Sequence, residues 1–152
     1  MSPGSAPSLS LGPAGDFLRC LWQLNHTIER LSRSMEKTIG VTAQQRMMIR
    51  CVGRFPGMTA SQLAELLHLD AGTVSTALSR LERKRLIERR RSPRDRRRVT
   101  LGLTPAGHAL DREAPGTVEH AVVALLKTAA DRDVASTRAV LGELTALLER
   151  ET

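Results

Sequence analysis

Two short segments of the same form, Thr42-Ala43-Gln44-Gln45 and Thr59-Ala60-Ser61-Gln62, constrain this chain more than any other feature. Each sets a Thr three residues ahead of a Gln, so that the hydroxyl and the amide side chain satisfy each other's orphan backbone N–H groups at a helix start. The first opens a helix through Met48, Ile49 and Val52 that stops at Phe55-Pro56-Gly57. The second opens a short helix with Leu63, Leu66 and Leu67 expected inside. His68-Leu69 makes a turn, and Asp70 caps a further helix whose Val74, Leu78 and Leu81 fall at i, i+4 and i+7. A short helix, a tight turn and a second helix in so few residues is helix-turn-helix grammar.

The flanking segments extend this pattern. Residues 1–15 are mostly Ser, Pro, Gly and Ala, and predict a mobile tail that buries little. From Asp16, the expected N-cap, Phe17, Leu21, Leu24, Ile28, Leu31 and Met35 recur every three or four residues, one stripe on a long helix that Gly40 ends. After Arg85 the period changes. Residues 86–91 and 98–103 read as two strands around a polar loop, a hairpin of the kind called a wing. Thr104-Pro105 starts another helix, which Pro115-Gly116 should break or kink. Val118, Val122 and Leu125 carry an apolar face onward, and a last helix begins near Asp131 or Asp133 with Val134, Leu141, Leu144 and Leu148 on one stripe. The expected fold is mainly α with a small β-hairpin wing, a winged helix-turn-helix over 42–104 between helical regions at 16–41 and 105–152.

Charge locates the chemistry. The formal charge of +7 resolves into +8 on residues 80–98 and −1 on all the rest. Ten of the eleven cations in that stretch are Arg, whose planar fork suits phosphate and guanine. A merely solvated face would mix signs. The helix from Asp70 adds small polar groups, Thr73, Ser75, Thr76 and Ser79, which allow close approach to base edges. With Phe17, Trp22 and Phe55 as the only aromatics, a base-stacking RNA platform is excluded. Two widely spaced cysteines, no charged n-region before an apolar stretch, and no aliphatic run beyond 121–126 predict a soluble cytoplasmic protein with reduced thiols and no membrane partner.

The runs Gln62-Leu63-Ala64-Glu65, Thr73-Val74-Ser75, Arg80-Leu81-Glu82-Arg83, Asp95-Arg96-Arg97 and Leu103-Thr104-Pro105-Ala106-Gly107 resemble the MarR family of transcription regulators. The resemblance implies a winged-helix homodimer on a pseudopalindromic operator of double-stranded DNA. It implies a recognition helix at about 71–84 in the major groove, Arg97 in the minor groove with Asp95 as its orienting carboxylate, and dimerisation through the first helix and the last two. Candidate DNA-binding residues are Thr59, Ser61 and Gln62 on the short helix, and Thr73, Ser75, Thr76, Ser79, Arg80 and Arg83 on the recognition helix. Arg91, Arg94, Asp95, Arg96 and Arg97 complete the set on the wing. Two positions depart from the family pattern. Arg85 stands where many relatives have Gly, which strains the turn if φ is positive there. Thr76 stands where many carry a longer base-contacting side chain, so readout leans on Arg80 and the wing.

Relatives often bind small aromatic anions between the helical region and the winged domain. Trp22, His26, Met47, Met48 and Cys51 are the candidates to line such a pocket, with ordinary core packing as the alternative. Cys20 stands on the first helix, where a peroxide-sensing branch of the family keeps its thiol, but that branch supports the thiol with tyrosines and this chain has none. The four histidines are scattered, and no metal site, cofactor site or catalytic constellation emerges. The expected function is a homodimeric, sequence-specific repressor released by a small aromatic or phenolic ligand, not an enzyme. The alternatives are an architectural or non-specific nucleic-acid-binding protein and a thiol-based redox sensor of the same family.

Overall fold

The computed structural model describes residues 9–152. Its elements run α1 (Gly12–Ile39), α2 (Ala43–Arg54), α3 (Ala60–Leu67), α4 (Ala71–Arg83), β1 (Ile87–Arg91), β2 (Val99–Leu103), α5 (Pro105–Leu110), α6 (Val118–Leu126) and α7 (Asp131–Arg150). The chain divides into two compact units, one ending at Arg112 and the other comprising Glu113–Thr152. A mainly helical fold with an antiparallel β-hairpin wing is therefore observed.

Both capping boxes form. Thr42 Oγ1 accepts from the Gln45 N–H at 3.2 Å, and the Thr42 N–H donates to Gln45 Oε1 at 3.3 Å. Thr59 and Gln62 repeat the exchange at 3.2 and 2.9 Å. Asp70 Oδ1 accepts from the Thr73 N–H at 2.8 Å and so starts α4. The three helices pack around Met48, Ile49, Leu63, Val74, Leu78 and Leu81, each at most 1% exposed. Leu66, expected inside, is instead exposed: α3 has only eight residues, and Leu63 fills its core position.

The first helix corrects two expectations. It begins at Gly12, not Asp16, so residues 12–15 are helical rather than tail; residues 1–8 of that segment lie outside the described residues. Pro13 pre-sets the first turn. Asp16 lies inside the helix and reaches back, accepting from the Leu11 N–H at 3.2 Å and Ser10 Oγ at 2.7 Å. At the other end, Gly40 adopts φ 77° as the C-cap. Of the α1 stripe only Met35 is buried; Leu21 and Leu31 are half-buried, and Phe17, Leu24 and Ile28 are exposed, as is Trp22 beside the stripe.

The wing pairs Ile87 with Leu103 through to Arg91 with Val99. Its base is extended by one bond not visible in the sequence, from the Leu101 N–H to the Met58 carbonyl at 2.7 Å. Between α4 and β1 the chain closes a Schellman turn. The Leu86 N–H bonds the Leu81 carbonyl at 3.0 Å, the Arg85 N–H bonds the Glu82 carbonyl at 2.9 Å, and Arg85 takes φ 56°. Thr104 then joins the turn to α5. Its hydroxyl donates to the Arg85 carbonyl at 2.6 Å and accepts from the Gly107 N–H at 3.1 Å. A Cβ on Gly107 would stand 2.0 Å from the Leu86 carbonyl oxygen, which is why a glycine is needed there.

Helix α5 ends at Leu110, five residues before Pro115, and Arg46 and Arg50 of α2 take up the carbonyls at and just after its end. Arg46, 1% exposed, donates to the Leu110 and Arg112 carbonyls, and Arg50 donates to the Asp111 carbonyl and to Asp111 Oδ1. In the second unit Thr117 caps α6 by accepting from the His120 N–H at 3.3 Å, and α7 starts at Asp131 as expected. Val122, Leu125 and Leu126 of α6 and Val140, Leu147 and Leu148 of α7 are exposed.

Candidate nucleic-acid interface

Helix α4 buries Val74, Ala77, Leu78 and Leu81. Its helical period turns Gly72, Thr76, Ser79 and Arg83 to the opposite side, with Ser75 and Arg80 flanking them. All six are exposed. Thr73 is not equally available. It is half-buried, and its hydroxyl donates to Asp70 Oδ2 at 2.5 Å while its N–H takes the other oxygen. These two bonds hold the Asp70 carboxyl below the usual carboxylate range, the Thr73 hydroxyl contributing most. Thr73 therefore serves the helix start. Thr59 and Gln62 are likewise engaged in their capping box, and Ser61 beside them is exposed.

Gly72 is a candidate that the reading of side chains passed over, since a residue without one looks inert. On the outward first turn it lets the backbone come close to a ligand. A groove of 480 Å³ between α2 and α4 is lined by Thr42, Gln44, Gln45, Gly72, Thr76 and Arg80 among others.

The structure sorts the eleven cations of residues 80–98. Arg89 pairs with Glu82 at 3.1 Å, and Arg90 pairs with Glu88 on the same strand. Lys84 Nζ donates to the Gly40 carbonyl at 2.6 Å, tying the end of α4 to the end of α1. The remaining eight are Arg80, Arg83, Arg85, Arg91, Arg94, Arg96, Arg97 and Arg98. None of them has an ion-pair partner among the described residues, and all are exposed. Arg98 belongs with the wing candidates on this ground, although the sequence reading did not single it out.

Asp95 orients the wing tip by a route other than the expected one. Its Oδ1 accepts from the Arg97 backbone N–H at 2.9 Å, and its carbonyl accepts from the Arg98 N–H at 3.0 Å. This is an Asx turn, which shapes the loop backbone and leaves the Arg97 guanidinium unpaired. The expected carboxylate–guanidinium contact is replaced by a carboxylate–backbone one.

The five residues considered for a ligand pocket differ in burial. Met48 and Cys51 are packed in the core of the first unit, and burial pushes the Cys51 thiol above its ordinary value. Trp22, His26 and Met47 are exposed. Cys20 is exposed on α1, and the neighbouring Arg19 is engaged with Asp16 at 3.4 Å. No three His, Cys, Asp or Glu residues cluster as a metal site among the described residues.

Comparison with known proteins agrees with this geometry. A family model described as MarR family matches residues 39–98. The chain is 31% identical over 113 residues to the organic hydroperoxide resistance transcriptional regulator of Bacillus subtilis, covering 68% of this chain and 77% of the relative. It is 34% identical over 95 residues to the multiple antibiotic resistance protein MarR of Salmonella typhimurium, covering 60% and 64%. Among solved structures it is similar to Streptococcus pneumoniae FabT in complex with DNA. The TM-score is 0.66 and the identity 27%, over 91% of this chain and 97% of that one. The reduced form of MarR from E. coli aligns with a TM-score of 0.63 at 25% identity, over 90% and 98%. The fold, the reading helix and these likenesses together carry one conclusion: the chain belongs to the MarR family of winged helix-turn-helix transcription regulators, DNA-binding proteins and not enzymes.

Proposed function

We propose that this protein is a homodimeric repressor that reads a pseudopalindromic operator and leaves it when a small aromatic or phenolic ligand binds. One observation carries the reading. The outward face of α4 is small and polar up to Ser79, and then presents Arg80 and Arg83, in the same compact unit as the unpaired wing arginines. Small groups permit deep seating in a major groove, arginines supply bidentate contact to guanine, and wing arginines suit a narrow minor groove. The apolar side chains left exposed on α1, and separately those on α6 and α7, support self-association, since exposed apolar patches mark interaction sites. Two copies would set their recognition helices about one helical turn apart.

A competition assay tests the proposal. Fragments selected from the native genome should compete at least a thousandfold better than random duplex, and a ratio near one would favour a non-specific architectural protein instead. Light scattering should give twice the chain mass. Release is followed through Trp22, the single indole, whose fluorescence should change as a phenolic acid displaces the DNA. No helix among the described residues is long and apolar enough to cross a membrane.

A second reading has a specific observation in its favour. Cys20 is exposed, and one relative is an organic hydroperoxide resistance regulator. Peroxide would then weaken operator binding by the native protein and leave Cys20→Ser unaffected.

A further inference from the structure

The arginines near the reading helix are not equivalent. Arg89 lies in the middle of β1, opposite Leu101, and its Nε donates to Glu82 Oε1 at 3.1 Å. Leu101 is buried and its N–H is held by the Met58 carbonyl, so this point of the wing is anchored to the domain. Glu82 stands in the last turn of α4. The pair therefore joins the reading helix to the wing across the strained turn at Arg85. Arg89 also borders a 210 Å³ crevice whose other walls include Ala60, Ser61, Ala71 and Ser75.

Glu82 is also the only acidic residue of α4. Inside a segment of charge +8, a carboxylate repels phosphates and lowers affinity for every DNA sequence alike. What it contributes in return is geometry. We infer that Glu82 is a positioning residue for specificity: acting through Arg89, it holds the wing at one distance and angle from the reading helix. Major-groove and minor-groove contacts are then made together only on a correctly spaced site. The inference rests on the operator reading above.

The experiment compares Glu82→Gln, Arg89→Gln and the double variant in the full-length protein. Each is titrated against a genomically selected operator fragment and a scrambled duplex of equal length. Glu82→Gln should bind the scrambled duplex roughly two- to threefold more tightly, one repulsive charge per protomer having gone. Its specificity ratio should nevertheless fall roughly tenfold, the effect of one base pair no longer read. Arg89→Gln should lower the ratio similarly, and the double variant should be no worse than the worse single. Hydroxyl-radical protection should fade beneath the wing and persist beneath the reading helix. If Glu82→Gln shifts both affinities by one factor, or its loss of ratio adds in full to that of Arg89→Gln, the inference is overturned. A native ratio near one would overturn the operator reading and this inference together. A high native ratio that Glu82→Gln leaves unchanged would overturn this inference alone.

Discussion

Replacing Arg85 by Gly should make the protein more stable and its DNA complex weaker. Arg85 sits at φ 56°, where an L side chain crowds the following carbonyl at a cost of about 1–2 kcal/mol. The turn has no freedom to relax this strain. The Arg85 N–H, the Arg85 carbonyl and the Leu86 N–H are each hydrogen-bonded, at 2.9, 2.6 and 3.0 Å, and the buried side chains of Leu81 and Leu86 lie on either side. Gly removes the crowding and keeps all three bonds, since all are made by backbone groups of residue 85 or its neighbour. Against this, Gly loosens the unfolded chain, which takes back about 0.4–1 kcal/mol. The net gain is about 0.5–1 kcal/mol, a rise of about 1–4 °C in Tm for a chain of this size. The exposed guanidinium is lost at the same time. If it meets a phosphate in each protomer, the slope of log K against log salt should flatten by about 1.8 for the dimer. Thermal unfolding by circular dichroism and salt-dependent fluorescence anisotropy read the two effects separately. Arg85→Asn serves as the control, because Asn tolerates the left-handed region while losing the charge. An Arg85→Gly protein that melts below the native one would refute the argument, since it would mean that the side chain stabilises the turn by more than the backbone strain removes.

Three further outcomes follow from particular contacts. Gly107→Ala should destabilise the fold by about 2 kcal/mol or more, because its Cβ meets the Leu86 backbone rather than a movable side chain; an unchanged denaturation midpoint would show that α5 shifts freely. Asp95→Asn should bind the operator nearly as the native protein does, while Asp95→Ala should bind more weakly with an unchanged Tm. An Asx turn needs only the side-chain oxygen, so equal losses in both variants would point to the charge instead. Asp70 has a folded pKa below its unfolded value near 3.9, so its contribution to α4 is fully present above about pH 4 and is lost as pH falls through the lower folded value. Acid unfolding of Asp70→Ala should therefore lack the component that the native protein shows in that window.

Much of this architecture is legible because its signals are local. A capping box, an Asp N-cap and a run of leucines at helical spacing each act within one or two turns, so α2, α3 and α4 stand where their sequence places them. The positive φ at Arg85 was implied by a family pattern and is required by a turn of six residues. Where the reading slipped, the deciding contact was longer in range or of lower contrast. Asp16 looks like an N-cap because a polar residue precedes an apolar stripe, but Pro13 starts the helix earlier and Asp16 folds back on it. Met48 and Cys51 share a helix with exposed Met47, and only the packing around α2 decides which sulfur faces inward.

The amino-acid order by itself determined the reading head: three capped helices, a hairpin, and a charge of +8 confined to residues 80–98. It did so because helix caps, strand alternation and net charge are sums over near neighbours. The tertiary structure alone decided which of those charges remain available. Arg89 and Arg90 are taken by Glu82 and Glu88, Lys84 by the end of α1, and Asp95 by a backbone N–H. An ion pair depends on where two side chains meet in space, and Glu82 and Arg89 meet only after the turn at Arg85 has folded the wing back against the helix.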